Sequence, residues 1–133
     1  TCQMPVTVLD AHDRSFQKEI LPELNRRDIG VIGMKSLGGR GQFITDLGLT
    51  AEQCRTYALS LPISTLICGI QNQANLDQDL AIAKDFIPMS PEDLQALADS
   101  VYEQASDGRC EWYKSMQTYD SQYHRDQHGF QLT

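Results

Sequence analysis

Three short apolar runs, recurring at about the 30-residue length of a strand–helix–strand unit, constrain this chain most tightly. They are Gln3 to Leu9, Ile29 to Met34 and Ser64 to Ile70. Each is rich in Val, Ile, Leu or Thr and is bounded by chain-breaking residues, so each reads as a strand. The second and third lack a clean polar–apolar alternation. That pattern predicts parallel strands covered on both faces.

Helical periodicity fills the gaps. Ser15 to Arg27 puts Phe16, Ile20, Leu21 and Leu24 on one side, with Pro22 predicting a kink or a late start. Thr50-Ala51-Glu52-Gln53 reads as a capping box opening a helix through Leu59, its apolar face continued by Tyr57 and Leu61. Asn72 is a candidate cap for a helix with Leu76, Leu80 and Ala83 inward. Ser90-Pro91 opens a last helix on the stripe Leu94, Leu97, Ala98 and Val101. The order predicts an α/β fold with right-handed crossovers and a parallel sheet. The regular part runs over residues 1–105. From about Ser106 to Thr133 the period disappears, and this stretch holds half of the chain's aromatic residues. It reads as an irregular tail laid over an apolar surface, or partly disordered.

Size and charge narrow the function. The chain has 133 residues, one domain's worth. At 41% hydrophobic and 22% charged it has the balance of a folded globular protein. The net charge of -7 and the lack of a basic stripe argue against nucleic acid as a partner. No apolar run approaches the roughly 20 residues of a membrane-spanning helix, so a membrane is not expected as a partner. Cys2, Cys54, Cys68 and Cys110 form no Cys-x-x-Cys pair and read as reduced thiols of a cytoplasmic protein. The chain begins at Thr1 with no charged-then-apolar leader.

Two segments carry chemistry. Gly33 to Gly41 follows the second strand at its C-terminal end, where parallel α/β folds place ligands. Gly38, Gly39 and Gly41 let backbone N–H groups approach an anion, and Lys35 and Arg40 add positive charge. A flexible connecting loop is the competing reading. Gly69 to Asp79 leaves the third strand and enters a helix whose N-terminus attracts anions. Asn75, Gln78 and Asp79 share one face at spacings that suit a ribose or a base, or form a merely solvated face. Together the two loops resemble the phosphate site made by the loops after strands 7 and 8 of an eightfold barrel. His12, between Asp10 and Asp13, is either half of a His–carboxylate pair or part of a locally bonded turn. His124 and His128 read as surface histidines with no further metal ligands evident.

These residues in this order resemble the C-terminal half of an aldo/keto reductase. The resemblance is carried by Gln3-Met4-Pro5 with Val8-Leu9-Asp10-Ala11-His12, by Gly30 to Gly39, by Tyr57 to Pro62 and by Gly69 to Leu80. The tail, with Asp107-Gly108 and Trp112-Tyr113-Lys114, is similar to the ending of a bacterial branch of that family. The resemblance implies strands 6, 7 and 8 of a (β/α)8 TIM barrel. It also implies reduction of aldehydes or ketones with NADPH or NADH. By position, Gln3 matches the contact to the nicotinamide carboxamide, and Met34 matches the residue stacked on the nicotinamide ring. Lys35, Leu37, Gly38 and Gly39 match the pyrophosphate loop. Gly69, Gln71, Asn75, Gln78 and Asp79 match the segment around the adenosine and its 2′-phosphate.

Departures from the family pattern matter. Asn75 stands where Arg or Gln often contacts the 2′-phosphate, Gly69 where a Lys is common, and Gln78-Asp79 where Glu-Asn is common. Loss of fixed positive charge leaves NADP against NAD open. The family's catalytic Asp, Tyr, Lys and His set belongs to the first barrel half, so no catalytic residue is assigned here. The expectation is a cofactor-binding portion that needs a missing N-terminal barrel half, binds a dinucleotide, and acts on a small carbonyl substrate. Two unpaired sheet edges and the non-Met start point the same way. The alternative is a non-catalytic dinucleotide-binding half-barrel that works with a partner chain, and a third is a truncated piece with no role of its own.

Overall fold

A computed structural model describes residues 1–114 together with Tyr123, Asp126, Gln127 and Gly129. His124 and His128, and the tail aromatics Tyr119 and Phe130, lie outside the described residues. Strands β1 (Cys2–Pro5), β2 (Val31–Met34) and β3 (Thr65–Leu66) form a parallel sheet in the order β1-β2-β3. Cys2 pairs with Val31, Met4 with Gly33, and Gly33 with Leu66. Gly33 is where the central strand meets both neighbours. A Cβ there would lie 3.0 Å from Ile63 Cδ1 and 3.2 Å from Leu66 Cδ1 and Val6 Cγ2.

The first and third strands are shorter than their apolar runs. β1 ends at Pro5, and the last ladder bond runs from Val6 N–H to the Met34 carbonyl at 2.9 Å. Beyond Met34 the partner strand turns away at Lys35, so Val8 and Leu9 have no strand to pair with. They bury in the core instead, and a 3-10 turn forms over Leu9–Ala11. β3 gains flanking bonds from Ser64 N–H to Val31 and Ile67 N–H to Gly33, both 2.8 Å, and its outer edge has no described neighbour.

The helices form where capping chemistry starts them. Ser15 accepts from Lys18 N–H to open α1 (Phe16–Glu19), and Pro22 sits in the first turn of α2 (Leu21–Arg26). The expected kink is thus a break at Ile20, which is exposed rather than inward. A one-turn α3 (Gln42–Thr45) follows the glycine loop. The Thr50–Gln53 box opens α4 (Ala51–Ser60). Asn72 caps α5 (Gln73–Lys84), and Ser90 caps α6 (Pro91–Ser100), which leads into α7 (Tyr102–Ala105).

Coverage of the sheet differs from the expectation. Met4, Val31 and Gly33 point into a core closed by Val6, Leu21 and Ala58, but Gln3 is exposed, and Ile32 and Met34 are half-buried. The reason is topological. Strands added in one direction with right-handed crossovers put every crossover helix on the same side of the sheet. A second core gathers Val8, Leu9, Phe43, Tyr57 and Val101 between the segment after β1 and helices α3, α4, α6 and α7. The predicted α6 stripe packs there, with Ala98 and Val101 buried and Leu94 and Leu97 against them. The predicted inward face of α5 does not. Leu80 is 45% exposed, Ala83 is exposed and Leu76 only half-buried, because no described element covers that side.

The C-terminal segment is anchored by a buried charge. A 3-10 turn over Trp112–Lys114 carries Lys114 inward, its side chain 2% exposed. Its Nζ lies 2.8 Å from Asp10 Oδ1 and 2.7 Å from Glu111 Oε2, and donates to the Asp13 carbonyl. Glu111 Oε1 accepts from Tyr113 hydroxyl at 2.7 Å and Thr7 hydroxyl at 3.1 Å. Asp10 also accepts from the Gln17 and Phe16 amides. Burial pushes its carboxyl above the ordinary range, against the pull of Lys114 and those amides. Burial, with Glu111 beside it, holds the Tyr113 hydroxyl protonated far beyond its ordinary range, so it donates to Glu111.

Two outcomes follow from this packing. Lys114→Met strands two buried carboxylates and is expected to lower the unfolding free energy by about 3–5 kcal/mol, read as a lower urea midpoint near neutral pH. Cys54 lies fully buried in α4, and burial pushes its thiol up to about 11. It is expected to resist iodoacetamide at about pH 8 in the folded chain and to react once urea unfolds it.

Candidate functional site

At the C-terminal ends of β2 and β3 the chain forms a groove of about 430 Å3. The Gly-rich loop supplies one wall, through Lys35, Leu37, Gly38 and Gly39, with Met34 at the base of the loop. The segment after β3 and the start of α5 supply the other, through Gly69, Gln71, Asn75, Gln78 and Asp79. Two segments about thirty residues apart therefore meet face to face. Gln3 lies outside the lining, one strand away. Its Nε2 lies 3.3 Å from Met34 Sδ.

The loop has a defined turn and is not slack. Lys35 leaves the sheet with φ 61, a left-handed backbone that costs any residue but glycine, and the Gly38 N–H closes the turn onto its carbonyl at 2.6 Å. Gly38 itself has φ 80, and the Gln42 side chain fills the space where a Cβ would stand. Gln42 Oε1 accepts from Arg40 N–H at 2.8 Å. Among the described residues, the N–H groups of Leu37 and Gly39 have no protein acceptor. They stand ready for an anion, as N–H groups of such loops do.

The opposite wall is built by a cap. Asn72 Oδ1 accepts from Asn75 N–H at 2.9 Å, and Asn75 Oδ1 accepts from Gln71 N–H at 3.3 Å, which folds the approach to α5 onto its first turn. Gln78 lines the groove one turn further on. Asp79 is committed elsewhere. Its carboxylate accepts from Arg55 Nε at 3.1 Å and Nη2 at 3.3 Å.

Arg55 and Ser36 are the site residues that the sequence reading missed. Arg55 comes from α4, its side chain 5% exposed, and also donates from Nη1 to Ser36 Oγ at 2.6 Å. It ties the loop after β2 to α5 from beneath. The trace of it was present in the helix pattern. Ala51, Cys54, Arg55 and Ala58 occupy i, i+3, i+4 and i+7, so an arginine stands inside an apolar stripe and must find a buried partner.

Charge in the groove is distributed unevenly. Arg55 is neutralised by Asp79, whereas among the described residues Lys35 and Arg40 have no carboxylate partner. Lys35 Nζ sits over aromatic rings, 5.3 Å from the Trp112 centroid and 5.2 Å from that of Tyr113. A second hollow, of about 510 Å3, shares Arg40 and is lined by Phe43, Leu47, Arg109 and Trp112. Among the described residues His12 has no carboxylate partner. Its Nε2 lies 2.9 Å from the Ala98 carbonyl and its ring meets Tyr102 edge-on, so it holds the segment after β1 to α6 and α7. The four cysteines are free thiols.

Compared with models of protein families, with characterised proteins and with solved structures, the chain matches none. The site therefore has to be read from its own geometry. Arg55→Met is expected to cost about 2–3 kcal/mol in urea unfolding, at or below the lower end of the range for breaking a buried pair because Asp79 retains some solvent.

Proposed function

We propose that this chain is the cofactor-binding portion of an NAD(P)H-dependent oxidoreductase that reduces aldehydes or ketones. It would supply the last three βα units of a (β/α)8 barrel, with the catalytic acid contributed by an N-terminal barrel half. One observation carries the reading. The two loops singled out for anion and nucleoside contacts, far apart in sequence, line a single groove at the C-terminal ends of adjacent parallel strands. Ligands of parallel α/β folds bind at that end. The sequential strand order with helices on one face is the order that a singly wound barrel requires, and the bare faces of Leu80 and Ile87, 45% and 78% exposed, suit further βα units.

The residues present fit a dinucleotide. The Leu37 and Gly39 N–H groups with Lys35 and Arg40 suit a pyrophosphate. Asn75 and Gln78 offer amides to a ribose or a base. Met34 offers a polarizable face for a flat ring, and Gln3 stands beside it. The bound nicotinamide would supply the hydride. This chain's own residues would bind and orient it. Among the described residues lining the groove beside α5, the cation Arg55 is already held by Asp79, so a 2′-phosphate there would meet amides. NADH should therefore bind at least as tightly as NADPH.

Titration of the full chain with NADH and with NADPH, followed by nicotinamide fluorescence, tests this. Binding of either is expected without turnover of added aldehydes. Lys35→Met should weaken it about tenfold, the worth of one charge-assisted hydrogen bond, while Lys18→Met on exposed α1 should not. Absence of binding at about 1 mM, a free energy near −4 kcal/mol, would overturn the reading. Turnover by this chain alone would refute the assignment of the catalytic acid to another barrel half.

A further inference from the structure

Among the described residues, the C-terminal segment meets the groove at Lys35 and Gly39. Trp112 and Tyr113 stand edge to face, with ring centroids 5.9 Å apart, and both rings carry the Lys35 ammonium. Trp112 also lies against the loop backbone. A Cβ on Gly39 would come within 3.1 Å of its Cζ2. Trp112 is itself 38% exposed, so its contacts with the loop lie at the surface rather than in the core.

We propose that Trp112 and Tyr113 are positioning residues that hold Lys35 at the groove for an anionic ligand. This rests on reading the groove as the phosphate site of a dinucleotide. Aromatic faces suit the task better than a carboxylate. An acid would cancel the charge that the phosphate needs, as Asp79 does for Arg55. A ring holds the cation by its quadrupole, leaves the charge whole, and leaves N–H groups directed outward. Lysine has a long side chain with much rotamer freedom, and fixing it before the ligand arrives removes part of the ordering cost of binding. The rings are themselves fixed. Tyr113 donates to Glu111, and Glu111 is held by Lys114 and Thr7, so the aromatic pair is built onto the buried charge cluster. Through these rings the C-terminal segment becomes part of the binding machinery.

The test uses the full chain, with inorganic pyrophosphate and NADH as probes in calorimetry. Trp112→Leu is expected to weaken both about threefold to tenfold, and Trp112→Phe to restore most of the loss, because a phenyl ring still offers a face. The deciding variant is the double one. In a Lys35→Met background, Trp112→Leu should cause no further loss, since its effect passes through Lys35. Trp112 is the only tryptophan, so its emission reports the contact without any ligand. Lys35→Met should shift that emission in the folded chain. Wild-type affinity in Trp112→Leu, an additive double variant, or an unchanged emission in Lys35→Met each overturns the proposal while leaving the groove reading intact. Failure of the unaltered chain to bind either probe overturns both.

Discussion

The ammonium group of Lys114 ties the Trp112–Lys114 turn to the segment after the first strand. It sits between Asp10, just after the first strand, and Glu111, and it has almost no contact with water. Two carboxylates around one buried cation would be costly without further donors, since desolvation of each ion exceeds what one pair returns. The donors are present. Gln17 and Phe16 amides serve Asp10, and the Thr7 and Tyr113 hydroxyls serve Glu111. The cluster's geometry is therefore fixed as a whole, and the turn that carries Trp112 and Tyr113 is fixed with it.

From that anchor the groove is braced on two sides. On one side the aromatic pair meets Lys35 at the point where the central strand leaves the sheet. On the other, Arg55 rises from α4 and joins Ser36 to Asp79, linking the loop after β2 with the helix after β3. Neither brace belongs to the loops that line the groove. Loops that bind ligands gain precision from rigid elements behind them, and here those elements are one amphipathic helix and one buried charge cluster.

The charge pattern has a functional consequence. The chain is acidic as a whole, yet among the described residues the cations at the glycine loop have no carboxylate partner, while Arg55 beneath α5 is paired with Asp79. An anion entering the groove meets its attraction at the loop and meets neutral amides along α5. The proposed dinucleotide would lay its pyrophosphate at the loop and its nucleoside along the helix.

Much of this was legible in the residues. Apolar runs spaced by a βαβ length determine three parallel strands, and the Thr50, Asn72 and Ser90 caps start their helices where local hydrogen bonding dictates. The two polar loops were legible as turns at strand ends, because glycine and amide residues there start turns and caps. Pairing was not. β1 stops at Pro5 since its neighbour turns away at Lys35, and α5 keeps Leu80 in solvent since nothing described lies over it. Strand length and helix burial depend on a second element, and a run of residues does not contain its neighbour. Arg55 with Asp79, Lys114 with Asp10 and Glu111, and Lys35 with Trp112 and Tyr113 are decided the same way. The sequence by itself determined which side chains are charged, apolar or capping. Only the tertiary structure decided which charges meet, because a buried ion is tolerable only beside a partner that folding brings from elsewhere in the chain.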